Sequence, residues 1–173
     1  ARLRYRLTDE LYAQIGAYNI TPSSLENDNG FKLNTAGTTG TLVPVELVWS
    51  PKVNQLPGEY RIGYYHSNAE SDDVYKDDFG QAAAVSGNAY RSNSSRHGFW
   101  VVGKQQLTTH DGDASRGLTV TASASFYDRA TTPVSSYQKV SLLYQGPFDA
   151  RPTDALGLGV ARVHASSRFL RNA

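Results

Sequence analysis

The chain has 173 residues, 39% of them hydrophobic, with 17 basic and 16 acidic side chains, a net charge of +1 and neither Cys nor Met. Without cysteine there is no disulfide framework and no thiolate metal site, and the balanced charge argues against a nucleic-acid-binding surface. No window approaches about 18 consecutive apolar residues, which excludes a transmembrane helix but not a spanning β-strand, for which about 9–11 residues suffice.

Eight strands are predicted, each alternating apolar residues with polar or small ones, the period that sends successive side chains to opposite sheet faces. The first, Arg2 to Leu7, sets Leu3, Tyr5 and Leu7 against Arg2, Arg4 and Arg6. After a short turn at Thr8-Asp9-Glu10 comes Leu11 to Asn19, with Leu11, Ala13, Ile15 and Ala17 opposite Tyr12, Gln14, Gly16 and Tyr18. A long polar connection from about Ile20 to Gly40 leads to Thr41 to Ser50, where Val43, Val45, Leu47 and Trp49 oppose Pro44, Glu46 and Ser50. A turn from Pro51 to Gly58 precedes Glu59 to His66, with Tyr60, Ile62 and Tyr64 opposite Arg61, Gly63 and Tyr65.

A second long connection runs from Ser67 to Arg96. The strand Gly98 to Leu107 then alternates Phe99, Val101 and Gly103 with Trp100, Val102, Lys104 and Gln106. The loop Thr108 to Arg116 leads into the cleanest alternation, Leu118 to Tyr127, which carries an apolar side and a hydroxyl side. Beyond a loop at Asp128 to Ser135, Ser136 to Gln145 sets Val140, Leu142 and Tyr144 against Lys139, Ser141 and Leu143. The turn Gly146 to Asp154 precedes the eighth strand, about Ala155 to His164.

Connections at one end of this sheet are short, and two at the other are long. That asymmetry, with up-and-down antiparallel order, is the pattern of a transmembrane β-barrel. A soluble sandwich more often has connections of similar length. Trp49, Tyr60 and Tyr144 lie near the short turns on the apolar side, the height of an interfacial aromatic girdle. The same residues would also fit the rim of a soluble core.

The polar side gathers Arg2, Arg4, Arg6, Glu46, Arg61, Lys104 and Lys139 with Tyr12, Tyr18, Tyr65, Trp100 and Tyr127. On a sheet bathed in water this is an ordinary solvated face. As a pore wall it suits polyhydroxylated solutes: Arg forks meet paired oxygens, Glu accepts from hydroxyls, and aromatic rings take the apolar face of a sugar. Weak, multiple contacts let such a solute leave as readily as it enters.

Glu70, Asp72, Asp73, Asp77 and Asp78 in the second long connection fit no EF-hand register, so a solvated acidic loop is expected there. His110-Asp111-Gly112-Asp113 reads as a turn rather than a metal site. The run Gly157 to Arg162 lacks the third glycine of a dinucleotide fingerprint and opens no helix. The histidines are scattered, no G-x-S-x-G nucleophile motif occurs, and Asn19-Ile20-Thr21 and Asn93-Ser94-Ser95 match only the short glycosylation pattern. No catalytic site, metal or cofactor is predicted.

Five segments in order resemble the carbohydrate-selective porins of the OprB family: Val45-Glu46-Leu47-Val48-Trp49, Leu56 to Tyr65, Arg96 to Trp100 with Gln105-Gln106, Arg116 to Val120, and Tyr144 to Phe148 with Arg151-Pro152 and Asp154 to Ala161. The resemblance implies a 16-stranded outer-membrane barrel of a Gram-negative bacterium, a homotrimer in contact with outer-membrane lipid, passing glucose and similar neutral sugars by diffusion. Eight strands, no initiator Met and no terminal aromatic predict that residues 1–173 are one partial barrel domain, about half a barrel. An eight-strand closed barrel would have to pack its large Arg, Lys, Trp and Tyr side chains against one another.

Arg4, Arg6, Glu46, Arg61, Tyr65, Trp100 and Lys104 are the expected pore-lining residues. With the short connections taken as periplasmic, Arg4, Glu46, Arg61 and Lys104 are expected at comparable depth, and Trp100 and Tyr65 nearer the outer mouth. A soluble β-sandwich that binds carbohydrate on its aromatic face is the alternative, and an anion-selective porin is a third reading.

Overall fold

The computed structural model describes residues 1–21 and 39–172. Most of the connection expected between Ile20 and Gly40 therefore lies outside the described residues.

The strands are β1 (Arg2–Arg6), β2 (Leu11–Gly16), β3 (Tyr18–Ile20), β4 (Gly40–Trp49), β5 (Lys52–Val53), β6 (Leu56–Ser67), β7 (Ser71–Asp77), β8 (Tyr90–Asn93), β9 (Arg96–Gln106), β10 (Gly117–Tyr127), β11 (Val134–Gln145) and β12 (Ala155–Ala165). Two single-turn helices, α1 (Ala83–Ser86) and α2 (Ser167–Leu170), complete the chain. One antiparallel sheet runs β1-β2-β4-β6-β9-β10-β11-β12, with β3 beside β4 and β5 beside β6. Order in space follows order in sequence, as an up-and-down wall requires. From β4 onward the long strands have 10 to 12 residues, enough to cross a bilayer at a tilt. No helix among the described residues is long and apolar enough to cross one.

The predicted second strand is interrupted at Ala17, and Pro44 explains why. The register of β2 on β4 (Ile15 opposite Val45) continues into β3 (Tyr18 opposite Leu42), which places Gly16 across from Pro44. Proline has no N–H to give the ladder, so pairing lapses there and resumes beyond. The predicted Pro51 to Gly58 turn is tighter than expected. Lys52 pairs with Pro57 and Val53 with Leu56, and Asn54 and Gln55, with φ of 50° and 65°, make the two-residue hairpin turn that twists with its strands.

Parity holds across the whole sheet because the register aligns it. Ile15, Val45, Tyr64, Phe99 and Phe126 share one face, and Gln14, Glu46, Gly63, Trp100 and Ser125 share the other. The apolar face is uncovered: Leu3 is 67% exposed, Ile62 56%, Leu158 73% and Val160 70%. Among the described residues the buried apolar side chains are only Val48, Pro51, Ala69 and Ala83. A water-soluble domain is held together by burying such side chains. The alternative of a two-sheet soluble sandwich is therefore set aside: among the described residues the one other sheet is the two-stranded β7–β8 pair, and the greasy side of the main sheet stays exposed. Aromatics mark both ends of that side. Trp49 and Tyr60 meet at 5.5 Å near the short connections, and Phe99 and Phe126 stack at 4.6 Å toward the other end.

The second long connection is not the solvated acidic loop expected. It folds into the β7–β8 hairpin with α1 beside it. Glu70, Asp72 and Asp78 are exposed, but Asp73 and Asp77 are buried. Asp77 accepts from the amides of Phe79 (3.0 Å) and Gln81 (2.8 Å), from Ser86 Oγ (2.7 Å) and from Asn88 Nδ2 (3.0 Å). It thus takes up donors that a tight turn leaves without backbone partners. Asp73 is gripped by Arg168 on α2 at 2.9 and 2.7 Å. The chain beyond β12 is thereby tied onto the hairpin.

At the short-connection end a second clamp joins two turns. Arg116 donates to Gly146 O (3.0 and 2.7 Å) and to Asp149 Oδ1 (2.9 Å), while His110 meets Asp149 at 3.2 Å and Tyr144 Oη at 2.9 Å. The bonds from Arg116 and His110 hold the Asp149 carboxyl below the usual carboxylate range. His110, Asp111 and Asp149 bring ligand-type atoms within 4.8 Å of one another, but Arg116 already supplies the cation and Tyr144 occupies the other ring nitrogen.

Candidate functional site

The polar face carries a connected network on β1, β2, β4, β6 and β9. Arg4 Nη2 donates to Gln14 Oε1 at 3.3 Å, and Gln14 Nε2 donates to Glu46 Oε1 at 2.6 Å. Trp100 Nε1 donates to the other carboxylate oxygen, Oε2, at 2.8 Å. Arg61 Nη1 stands 3.7 Å from Glu46 Oε1, and its Nε and Nη2 hold Glu59 Oε1 at 2.9 and 2.7 Å. The Arg4 guanidinium also sits 4.3 Å from the centre of the Tyr12 ring. The Glu46 side chain retains only 10% exposure while Arg61 keeps 36%, so the carboxylate is enclosed and a guanidinium still faces solvent.

Register explains the convergence. Arg4, Gln14, Glu46, Gly63 and Trp100 stand on one row of neighbouring residues across five strands. Trp100 could not reach Glu46 past an ordinary side chain at the intervening position. Gly63 leaves that space open: a Cβ there would overlap the six-membered ring of Trp100. The same device recurs at Gly98 under Tyr65 and at Gly16 under Tyr18, so three aromatic rings of the polar face lie against backbone.

Four of the residues expected from sequence, Arg4, Glu46, Arg61 and Trp100, fall in this network. Tyr65 covers Gly98 one position farther along. Arg6 is exposed at the end of β1 opposite Tyr12, and Lys104 lies opposite Glu59 and Thr121, outside the network. Trp100 shares the register row of Arg4 and Glu46, and Lys104 lies four residues from it toward the short connections. The participants not singled out from sequence are Gln14, Glu59 and Gly63. Their parity was visible, but their bonds depend on the register of three or more strands.

The apolar face holds a separate cleft of 640 Å³ lined mainly by apolar residues, among them Leu3, Ile15, Val45, Leu47, Ile62 and Phe99. It offers no convergent polar groups, so the polar chemistry lies on the opposite face.

The chain matches the family described as carbohydrate-selective porin, OprB family, over residues 1–173. It is 53% identical to Porin B of Pseudomonas aeruginosa over 167 residues, covering 95% of this chain and 37% of that protein. It is 37% identical to the putative porin QuiX of Acinetobacter baylyi, covering 96% of this chain and 36% of that one. A high-pH structure of Pseudomonas putida OprB superposes with a TM-score of 0.97 at 51% identity, covering 99% of this chain and 41% of that one. The chain thus spans well under half the length of the relatives it matches.

Proposed function

We propose, from the premise that the chain belongs to the OprB family of carbohydrate-selective porins, that its sheet is part of the wall of an outer-membrane channel through which neutral sugars such as glucose diffuse. One observation carries the reading. A single sheet presents an uncovered apolar face on one side and a bonded Arg–Gln–Glu–Trp network on the other. Lipid satisfies the first face and pore water the second. The open edges at β1 and β12 call for further strands, since lipid cannot satisfy unpaired backbone groups. Closure as a 16-stranded barrel, and the homotrimer that the family resemblance implies, belong to the same proposal; a mass measurement in detergent checks the trimer.

The pore-lining residues are Arg4, Arg6, Glu46, Arg61, Tyr65, Trp100 and Lys104. Arg4, held by Gln14 and the Tyr12 ring, and Arg61, held by Glu46 and Glu59, keep donors for solute hydroxyls, because these contacts do not take up every N–H. The flat rings of Trp100 and Tyr65 offer apolar surface to the C–H face of a pyranose. Nothing in this arrangement binds tightly, as conduction requires.

Reconstitution of the full-length protein in liposomes tests the proposal. Glucose should enter, and Glu46→Ala or Arg61→Ala should change the flux and the preference among sugars. Glucose exclusion by the wild-type protein removes the channel reading. Unaltered flux and preference in both variants removes these two residues from the selective wall.

A further inference from the structure

We propose that Lys139, together with Lys104, forms an anion-holding subsite on the polar face, so that the channel passes saccharides bearing an anionic group in addition to neutral sugars. The proposal rests on the channel reading above and extends it to a second class of solute.

The charged groups of the polar face are not evenly paired. On the β1–β6 side, Glu46 and Glu59 are bonded to Arg61, Gln14 and Trp100. On the β9–β12 side two lysines stand without a carboxylate oxygen inside 4.0 Å among the described residues. Lys104 is opposite Glu59, but Glu59 is turned to Arg61 through Nε and Nη2 at 2.9 and 2.7 Å. Lys139 is opposite Ser123 on β10 and Ala161 on β12, neither of which neutralises it. Both lysines are exposed.

The two cations share a recess of 430 Å³ whose other polar groups are the hydroxyls of Thr119, Thr121 and Ser141. Thr121 stands directly between Lys104 and Ser141 in the register. Gly157 and Gly159 border the recess on β12 and add no side chain to it. The strand between the lysines, β10, carries only hydroxyls on this face in that stretch: Thr119, Thr121, Ser123 and Ser125.

Two ammonium groups lining one recess without a carboxylate counter-ion favour an anion, and Ser and Thr hydroxyls donate to or accept from sugar hydroxyls as needed. A carboxylate on a sugar ring supplies the anion and the hydroxyls in one molecule; a phosphate ester supplies the same pair of features. Exposure to water keeps the attraction weak and salt-dependent, which permits release.

Glucose, glucuronate and glucose 6-phosphate are the probes, with full-length protein in liposomes at low ionic strength. In Lys139→Gln the flux of glucuronate, of glucose 6-phosphate or of both should fall about tenfold, the low end of what a single-sign cleft adds for a charged solute, while glucose flux stays as in the wild type. The arm that falls identifies carboxylate or phosphate as the recognised group. Lys139→Arg should restore the flux, and the reversal potential in a KCl gradient should move toward cation preference only in the Gln variant. Anion fluxes and reversal potential that do not respond to Lys139→Gln overturn the subsite. An equal fall of glucose and both anions also overturns it, because the lysine would then set the bore or the fold rather than the charge preference. A wild-type protein that admits none of the three solutes overturns the channel reading and the subsite with it.

Discussion

The indole of Trp100 lies across Gly63, and that placement brings its Nε1 to 2.8 Å from Glu46 Oε2. A methyl group at position 63 would displace the ring from the backbone and part it from the carboxylate. Gly63→Ala is expected to cost about 1–3 kcal/mol, the usual range for forcing an extra methyl group into an occupied space, and to swing the ring toward the solvent of the polar face. The difference between spectra of the full-length protein with and without Trp100→Phe isolates the signal of this residue. Emission from Trp100 should then shift to longer wavelength and become more open to aqueous quenchers. Emission identical with and without the methyl group would show that Gly63 does not position the ring.

Asp73 is the pH-sensitive point of the structure at the long-connection end. Burial alone pushes its carboxyl up, but the amides of Lys76 and Tyr75 and the Arg168 guanidinium outweigh that and hold it below the usual carboxylate range. A carboxyl depressed in the folded state contributes stability that is complete above its unfolded value of about 3.9 and is lost as pH falls through the folded value. The attachment of α2 to the β7–β8 hairpin should therefore be constant from neutral pH to about 4 and loosen below that. Hydrogen exchange of the Tyr75 and Lys76 amides reads it directly. Asp73→Asn should loosen the segment at neutral pH, and its exchange should then be insensitive to acid. Loss of protection already between pH 7 and 5 in the wild-type protein would point to another group.

Arg168→Ala separates the ion pair from the amide bonds. Asp73 would keep the N–H groups of Tyr75 and Lys76 at 2.9 and 3.0 Å but lose the two contacts to Arg168. The Asp73 side chain is 3% exposed and that of Arg168 29%, so the pair is shielded from water and worth more than a surface bridge. A local cost of about 1–3 kcal/mol is expected, confined to α2 and the hairpin. Proteolysis should reach the Ser167–Leu170 segment first. Equal susceptibility across β9–β12 would mean that the contact supports the whole sheet instead.

The faces of this sheet were legible because a period of two is a local property. Leu118 to Tyr127 shows its greasy and hydroxyl sides without reference to any neighbour, and the register only had to align it with β9 and β11. Links across strands were not legible. Gln14 has the right parity in sequence, but its bond to Glu46 exists because β2 meets β4 with Gln14 opposite Glu46. Gly63 reads as a strand-weakening residue until Trp100 is found lying on it. Asp73 and Asp77 read as solvated charge, since composition does not reveal that nearby backbone amides converge on them. The interruption at Ala17 was hidden in another strand, at Pro44.

Adjacent residues of β12 offer the sharpest test of which face meets lipid. Val160 pairs with Val140 and shares its row with Ala122, on the apolar side, while Ala161 pairs with Lys139 on the polar side. Both positions lie near the middle of their strand. If the apolar side faces hydrocarbon, Val160→Arg places a charge near the bilayer midplane and should destabilise the folded protein by about 2–4 kcal/mol. Ala161→Gln adds a polar side chain to the wet side and should leave stability within about 0.5 kcal/mol, as surface substitutions generally do. Denaturant unfolding of the full-length protein in lipid vesicles measures both. The order of the two effects is what matters: a larger loss from Ala161→Gln would reverse the assignment of the faces, and with it the placement of every residue here assigned to the pore.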